Sequence, residues 1–288
     1  MRQVLANNAL PICLVLSVLL LVSMLLPLRP QQLLYTLVRQ AMVVKINFET
    51  REMAVAETPH FIIKYTPMDE PVVDMVAQAA EAAYTPVTQA LGYVPKQKTL
   101  VLIYPDKSQL RQAFGWSGDQ NAMGVYWGGV IQILSPRLWL QSGNDVAEFI
   151  HAGPMVHEFT HLVLDHVTGG NYSRWFTEGL AQFAEYQING YEWITPANRL
   201  TGEIYTMAEL DRDFDNLPNQ ALAYRESLAA VRYIAEVYGQ DKLQQVISLL
   251  SSGNTMPAAI KQATGVDYQT FGRAWQEWAK DNLKNYND

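Results

Sequence analysis

Cysteine is almost absent from this chain of 288 residues, which has a single one, Cys13, inside an apolar run near the N-terminus. The rest of the chain therefore offers no thiol nucleophile, no cysteine metal ligand and no disulfide. Internal repeats, low-complexity segments and long runs of like charge are missing as well. The length that remains after the N-terminal region suits one large domain or a two-lobed domain.

Acidic residues are missing from the first 48 positions, which hold 4 of the 21 basic residues. All 28 acidic residues and the other 17 basic residues follow, so this part of the chain has a net charge of −11. An acidic surface disfavours nucleic acid as a partner, because a phosphate backbone needs a basic surface. We therefore expect no nucleic-acid binding.

Histidine is scarce too, with 5 residues, yet two of them stand four apart in the segment His-Glu-Phe-Thr-His at 157–161. On a helix, positions i and i+4 share a face, so His157 and His161 can bind one zinc ion. Glu158 then lies within reach of a water on that ion and can accept its proton. The alternative is a buried helix with two histidines that are satisfied by other partners.

The residues around the motif predict a buried helix. Pro154 suits a first helical turn, where its missing N–H costs no hydrogen bond, and Gly169 and Gly170 provide a stop. The apolar neighbours are Met155, Val156, Phe159, Leu162 and Val163. The motif is therefore expected on a rigid element inside the protein.

A third ligand is needed, because a catalytic zinc has three protein ligands and one open position. Residues 174–188 predict a second helix that carries Glu178, and the glycine-containing loop 167–173 can turn the chain back. Two antiparallel helices would bring Glu178 to the histidines, so we predict one Zn²⁺ per chain with this third ligand. The alternative is an exposed glutamate that the helix dipole stabilises.

The HExxH motif followed by a helix with Trp-x-x-Glu-Gly resembles the gluzincin metallopeptidases, the broad group of thermolysin and the membrane alanyl aminopeptidases. Over about residues 60–238 the chain is more closely similar to the peptidase MA-like family. The resemblance implies a gluzincin-like fold with His157, His161 and Glu178 as zinc ligands. It also implies Glu158 as the general base of peptide-bond hydrolysis.

The chain departs from the family pattern at one position. Many gluzincins place an acidic residue four positions after the ligand glutamate, where it orients a zinc-bound histidine. This position is Gln182, which can accept a hydrogen bond but carries no charge. Asp165 and Glu185 are the candidates for this role, and the sequence does not rank them.

The oxyanion of the reaction needs a second donor, for which related enzymes use tyrosine or histidine. We predict Tyr224, because it lies at the start of a helix in a Tyr-x-x-Ser segment that resembles the family. The ordinary alternative is a packing tyrosine. His166 is a second candidate, although its offset turns it away from the zinc face, and His60 and His151 are interpreted as structural.

The predicted fold is α+β, with a small mixed sheet, the HExxH helix and a mainly α-helical C-terminal lobe. We assign residues 56–190 to the metallopeptidase lobe and 191–288 to the helical lobe, with the active site in a cleft. Strands are expected at 60–66, 98–104 and 124–134, and helices at 69–91, 106–114, 206–213, 221–238, 240–252, 256–263 and 267–284, besides the two zinc helices. Residues 124–134 fit either an edge strand along the cleft or a core hairpin.

Charge is absent from residues 9–28, which are rich in Leu and Val. Twenty helical residues at 1.5 Å each cross a hydrocarbon core of about 30 Å. The run is longer than the core of a usual signal peptide, and no clear cleavage site follows it. We therefore predict a tail at 1–8 and an uncleaved transmembrane anchor at 9–28, with a cleaved signal peptide or a buried helix as alternatives.

Basic residues flank the run on both sides, with Arg2 before it and Arg29, Arg39 and Lys45 after it. This count favours a cytoplasmic C-terminal side, whereas one N-terminal anchor on a secreted-type hydrolase favours the opposite. We expect an extracytoplasmic catalytic domain. Residues 29–55 include an amphipathic stretch that predicts a stalk or an interfacial segment, with a helix packed on the domain as the alternative.

The sequence therefore predicts a membrane-anchored zinc metallopeptidase that acts on peptides or proteins. The absence of the aminopeptidase-type motif Gly-x-Met-Glu-Asn favours an endopeptidase. The alternative is a catalytically silent, membrane-anchored binding or regulatory protein that keeps the fold. Retention of Glu158 argues against this alternative, because binding alone needs no general base.

Overall fold

The computed structural model describes residues 30–116, 122–140, 145–200, 202 and 204–283. The predicted anchor at 9–28 lies outside these residues. Among the residues that are described, no helix is long and apolar enough to cross a membrane.

The described chain alternates between strands and helices in its first half and is helical in its second half. The strands are β1 (Ala54–Glu57), β2 (Phe61–Tyr65), β3 (Thr99–Tyr104), β4 (Gly124–Trp127) and β5 (Val130–Leu134). The helices are α1 (Pro30–Glu49), α2 (Val73–Leu91), α3 (Lys107–Phe114), α4 (Val146–Ala152), α5 (Met155–Thr168), α6 (Arg174–Asn189), α7 (Met207–Arg212), α8 (Gln220–Tyr233), α9 (Gln240–Ser251), α10 (Met256–Thr264) and α11 (Tyr268–Asn282). This confirms the mixed α+β architecture with a small sheet.

The five strands form one mixed sheet in the order β1-β2-β3-β5-β4. The three inner strands run parallel, and β1 and β4 pair antiparallel at the two edges. Parallel neighbours need long connections, and α2 supplies the connection from β2 to β3. The edge strand β4 and its neighbour β5 both contact the zinc helix α5.

Each face of the sheet is apolar, because successive side chains of a strand point to opposite sides. On one face, Val101 and Ile103 of β3 join the large core with α2 and α5. On the other face, Leu100 and Leu102 form a smaller cluster with Val43 of α1. The large core runs from Phe61 to Leu283, so it includes residues on both sides of the predicted lobe boundary.

Helix α1 therefore packs one of its own faces against the sheet. The stretch that the sequence predicts as a stalk or interfacial segment is helical, and it covers the turn between β4 and β5. Gly128 and Gly129 form this turn with positive φ of 58° and 89°, which glycine adopts without strain. A Cβ atom on Gly128 would come within 3.0 Å of Met42 of α1. Residues 124–134 are thus a hairpin whose first strand is also an edge strand.

Two short elements were not predicted. Strand β1 has only four residues, Ala-Val-Ala-Glu, so it lacks the run of β-branched residues that marks a strand. Helix α4 has seven residues, and the side chain of Asp145 caps it by accepting from the Glu148 N–H. At the start of the predicted helix 69–91, Pro67–Val72 form a 3₁₀ turn, because Pro71 has no N–H for an α-helical bond.

Two glycines determine how the zinc helix α5 and its partner α6 are arranged. Gly169, with φ of 62°, ends α5, and the chain returns as α6 antiparallel to it. On α6, a Cβ atom at Gly179 would lie 2.2 Å from the backbone oxygen of Ser227 on α8. Only glycine permits this close approach of α6 to α8. The contact fixes the position of Glu178, the preceding residue, in the interior.

We expect Gly179→Ala to lower the free energy of unfolding by about 1–3 kcal/mol, because the added methyl meets backbone rather than a movable side chain. Urea unfolding of the full chain in detergent measures this change. The matched control is Gly202→Ala, since no atom lies within 4 Å of the position of its Cβ. Equal stability of both variants would show that the α6–α8 contact is not tight.

Candidate metal centre

Three side chains from α5 and α6 converge in the interior. His157 and His161 lie one helical turn apart on α5, and Glu178 faces them from α6. One ligand atom from each residue lies within 4.8 Å of the others. In the described part of the chain, this is the only group of His, Cys, Asp or Glu side chains with metal-ligand spacing. We call these three residues the ligand cluster.

The distances inside the ligand cluster suit a tetrahedral ion. Oε2 of Glu178 lies 3.1 Å from Nε2 of His157 and 3.6 Å from Nε2 of His161. A tetrahedral zinc with bonds of about 2.0–2.1 Å separates its ligand atoms by about 3.3–3.4 Å. Both distances from the Glu178 oxygen are therefore close to those expected around Zn²⁺.

The other ring nitrogen of each histidine has its own partner. The Nδ1 of His157 lies 3.0 Å from Oε2 of Glu185, and the Nδ1 of His161 lies 2.6 Å from Oγ1 of Thr177. When Nδ1–H donates to these oxygens, the lone pair of Nε2 points to Glu178. Both rings are thus oriented for metal binding through Nε2.

The structure ranks the two candidates for orienting a histidine. Glu185, seven positions after Glu178, contacts His157, whereas Asp165 contacts neither histidine of the cluster. Gln182 at the family position does not contact His157 either. The Nε2 of Gln182 donates to the backbone oxygens of Glu178 and Tyr224, at 3.2 and 2.7 Å. Gln182 therefore joins α6 to α8.

Asp165 is the centre of a second, separate network. Its carboxylate is fully buried and accepts from Arg39 of α1 at 2.7 Å, from the Tyr126 hydroxyl of β4 at 2.6 Å and from the Tyr172 hydroxyl at 3.3 Å. Tyr35 of α1 also interacts with it. Asp165 therefore ties α1, the edge strand and the α5–α6 loop to the zinc helix.

A cation accompanies Glu178 on its own helix. Arg174 stands one turn before Glu178, and its Nη1 donates to Oε1 of Glu178. The Nε of Arg174 lies 3.2 Å from Oδ1 of Asp215. Burial alone would raise the pKa of Glu178, but the charges of His161 and Arg174 hold this pKa well below its ordinary value. Glu178 therefore stays an anion that can bind a metal.

Glu158, the predicted general base, follows His157 on α5. Its side chain is buried, and Oε2 has no hydrogen-bond partner among the described residues. The backbone N–H of Tyr126 bonds its carboxylate, and a Cβ atom at Gly124 would lie 2.8 Å from Oε1. Burial raises the pKa of Glu158. One oxygen is thus free to take a proton beside the ligand cluster.

Tyr224 lies on α8 next to the cluster. Its charge would interact with those of Glu178, Arg174 and Glu158, and burial raises its pKa. The ring packs edge-on against Trp193, with centroids 6.2 Å apart. Its position fits the predicted donor, and its role stays a prediction.

The three remaining histidines lie elsewhere. His166 contacts the Tyr93 hydroxyl at 3.1 Å, and burial lowers its pKa to about 4. The Nδ1 of His60 lies 2.7 Å from Glu81, and that of His151 lies 2.9 Å from the Asn189 oxygen. These contacts agree with the structural roles expected for His60 and His151.

A cleft of about 750 Å³ reaches the ligand cluster from the surface. His161 of the ligand cluster lines it, together with Thr177 and Arg174. Helix α1 lines one wall, and the edge strand β4 with the aromatic Trp127 lines another. An extended chain could therefore lie along β4 and pass the metal position.

Three residues of the site were not predicted. Arg174 stands four positions before Glu178, and an i,i+4 charge pair is a signal that could have identified it. Thr177 and Tyr126 gave no such signal. Thr177 contacts His161 only because α6 packs against α5, and Tyr126 bonds Glu158 through its backbone N–H.

Comparisons with known proteins show the family of the chain. A family model described as the peptidase MA superfamily matches residues 79–281, which confirms the resemblance found in the sequence. No curated protein matches the chain.

Solved structures that resemble the fold include aminopeptidase A of Legionella pneumophila in complex with aspartic acid. It has 16% identity and a TM-score of 0.48, over 77% of this chain and 28% of that chain. An M1 zinc metallopeptidase from Deinococcus radiodurans has 12% identity and a TM-score of 0.41, over 77% of this chain and 50% of that one. The chain thus spans half or less of the length of these two proteins.

We expect Glu185→Gln to weaken zinc binding by about 10- to 100-fold, because the amide still accepts from His157 but without a charge. Competition with a chromophoric chelator at fixed pH measures the affinity. The control is Glu81→Gln, which alters the equivalent contact to His60 outside the cluster. Unchanged affinity in the Glu185 variant would remove this residue from the metal centre.

Proposed function

This chain belongs to the peptidase MA superfamily, and on that premise we propose that it is a membrane-anchored zinc endopeptidase with one zinc per chain. The family implies a peptide or protein as the substrate. The observation that carries the proposal is the ligand cluster with both Nδ1 atoms already bonded, beside a buried Glu158 with one free oxygen. Such an arrangement has little use in a protein that only packs its core.

His157, His161 and Glu178 would hold the zinc. When bound, the metal would supply Lewis-acid activation of a water and of the scissile carbonyl. The fit is supported by the donor set, two imidazoles and a carboxylate, and by the spacing of the three atoms. Glu185 and Thr177 would keep the two rings in the required orientation.

Glu158 would move the proton. Its free Oε2 accepts a proton from the attacking water, and the same oxygen then donates it to the leaving nitrogen. The bond from the Tyr126 N–H and the close contact with Gly124 hold the carboxylate in one position.

Tyr224 would complete the site as a donor to the developing oxyanion. Its elevated pKa keeps the hydroxyl protonated, so that it can donate. The substrate would lie extended along the edge strand β4, which lines the cleft. The open cleft and the absence of the Gly-x-Met-Glu-Asn motif favour cleavage within a chain over removal of its first residue.

The anchor and its orientation are part of the proposal. Support comes from the uncharged residues 9–28. In the sequence, only helix α1 separates them from the first strand of the catalytic part. We propose an extracytoplasmic catalytic domain, as expected for one N-terminal anchor on a hydrolase of this kind.

One observation favours a second candidate, a catalytically silent binding or regulatory protein. Arg174 bonds Oε1 of Glu178, so it could serve as the counter-ion of this carboxylate without any metal. The silent protein would not need Glu158, whose buried and partly unpaired carboxylate carries an energetic cost. We therefore retain the enzyme as the main proposal.

We expect Glu158→Gln to lower kcat by about 10²- to 10⁴-fold, because the amide cannot accept the proton. Zinc content should stay at one per chain, whereas His161→Ala should lose the metal. Cleavage of a peptide library by the full chain, with metal analysis of the same samples, gives both values. Cleavage by the Glu158 variant at the wild-type rate would refute the mechanism.

We expect Tyr224→Phe to lower kcat by about 10²- to 10³-fold with little change in KM, because the lost donor acts in the transition state. Steady-state kinetics on a cleaved peptide measure both constants. Tyr84→Phe, which lies beside His60 and away from the cluster, is the control. An equal kcat in the two variants would assign Tyr224 to packing.

A further inference from the structure

Helix α1 is apolar on two opposite faces. The inner face contacts the sheet and the catalytic helices through Met42, Val43 and Arg39, among others. The outer face carries an apolar row at helical spacing: Leu34, Leu37, Val38, Ala41, Val44 and Phe48. These positions share one side of the helix, because they recur every three or four residues. We call this row the outer stripe.

The outer stripe is open to solvent. The exposed fractions are 63% for Leu34, 54% for Leu37, 53% for Val38, 69% for Val44 and 65% for Phe48. A helix on the surface of a soluble domain normally turns polar residues outward. Single exposed apolar residues are ordinary, but a contiguous row marks an interaction surface. The stripe therefore needs an occupant.

The adjacent sequence identifies this occupant. Residues 9–28 are uncharged and long enough to cross a bilayer, and only Arg29 separates them from the start of α1 at Pro30. If 9–28 spans the membrane, α1 begins at the lipid surface. No acidic residue precedes Glu49. Lys45, four residues after Ala41 on the same side of α1, is 61% exposed and lies 3.6 Å from Glu49.

We propose that the outer stripe of α1 lies in the interface of a lipid bilayer. The helix would then be parallel to the membrane, with its apolar outer row among the acyl chains and its inner row on the protein. A lipid surface is favoured over a second copy of the chain, because the uncharged residues 9–28, the predicted anchor, end next to the stripe in the sequence.

Contacts of the inner face of α1 fix the position of the active site relative to the helix, and therefore relative to the bilayer. Arg39 binds Asp165 on the zinc helix at 2.7 Å, and Met42 and Ile46 line the cleft. A helix with side chains is about 10–12 Å across. The cleft therefore lies about one helix diameter from the bilayer. This part rests on the proposed function: the substrate class is polypeptide segments close to the membrane surface.

The position of α1 can be measured with nitroxide labels on the full chain in phosphatidylcholine–phosphatidylglycerol vesicles. In a Cys13→Ser background, labels at Leu37→Cys and Val44→Cys should be more accessible to oxygen than to a water-soluble nickel chelate. Labels at Gln40→Cys and Asn47→Cys, exposed but beside the stripe, should show the opposite. Stripe labels that are accessible to the chelate, or shielded from both reagents by a second copy, would overturn the proposal.

The consequence for substrates needs a second variant. We expect Leu37→Gln/Val38→Gln/Val44→Gln to cleave a soluble peptide as the wild type does. Its kcat/KM on the same peptide tethered to vesicle lipid should fall several-fold, because the cleft is no longer held at the surface. An equal loss on both peptides would make the stripe merely structural and contradict the proposal. If even the wild type cleaves neither, the peptidase function fails, and the labels still decide the position of α1.

Discussion

Buried charge is the constraint on which this structure depends. Glu158, Glu178, Glu185 and the imidazole of His161 are buried, and the side chain of His157 is 16% exposed. Each buried ion costs several kcal/mol unless it has a partner. Glu185 pairs with His157, and Glu178 pairs with Arg174. Two imidazole Nε2 atoms and one oxygen of Glu178 then face one another, and a dication is the partner that satisfies all three.

The scaffold is shaped to keep these groups close. Gly179 lets α6 approach the backbone of α8, and Gly124 lets the edge strand approach Glu158. Asp165 holds the far end of the zinc helix to α1 and β4 through Arg39 and Tyr126. The site is therefore fixed from three sides, by α8, by β4 and by α1. Such fixed groups can stabilise a transition state without reorganising.

The sequence predicted those parts of the molecule that local periodicity determines. The i,i+4 spacing of His157 and His161 and the glycine turn after α5 were enough to bring in Glu178. The sequence could not show that Glu185, rather than Asp165, orients His157, because this contact depends on how α6 is rotated against α5. The contact of Arg39 with Asp165 joins residues 126 positions apart, which no local pattern encodes. The inner and outer faces of α1 could not be separated either, since both are apolar.

The central claim is that His157, His161 and Glu178 together bind a zinc ion that keeps an open position. X-ray absorption at the zinc edge, on the purified full chain, tests it most directly. We expect two imidazole nitrogens at about 2.0–2.1 Å and oxygen ligands at about 2.0–2.2 Å, in four- or five-fold coordination, with a changed spectrum in Glu178→Gln. A sample without stoichiometric zinc, or a spectrum that Glu178→Gln leaves unaltered, would contradict the claim.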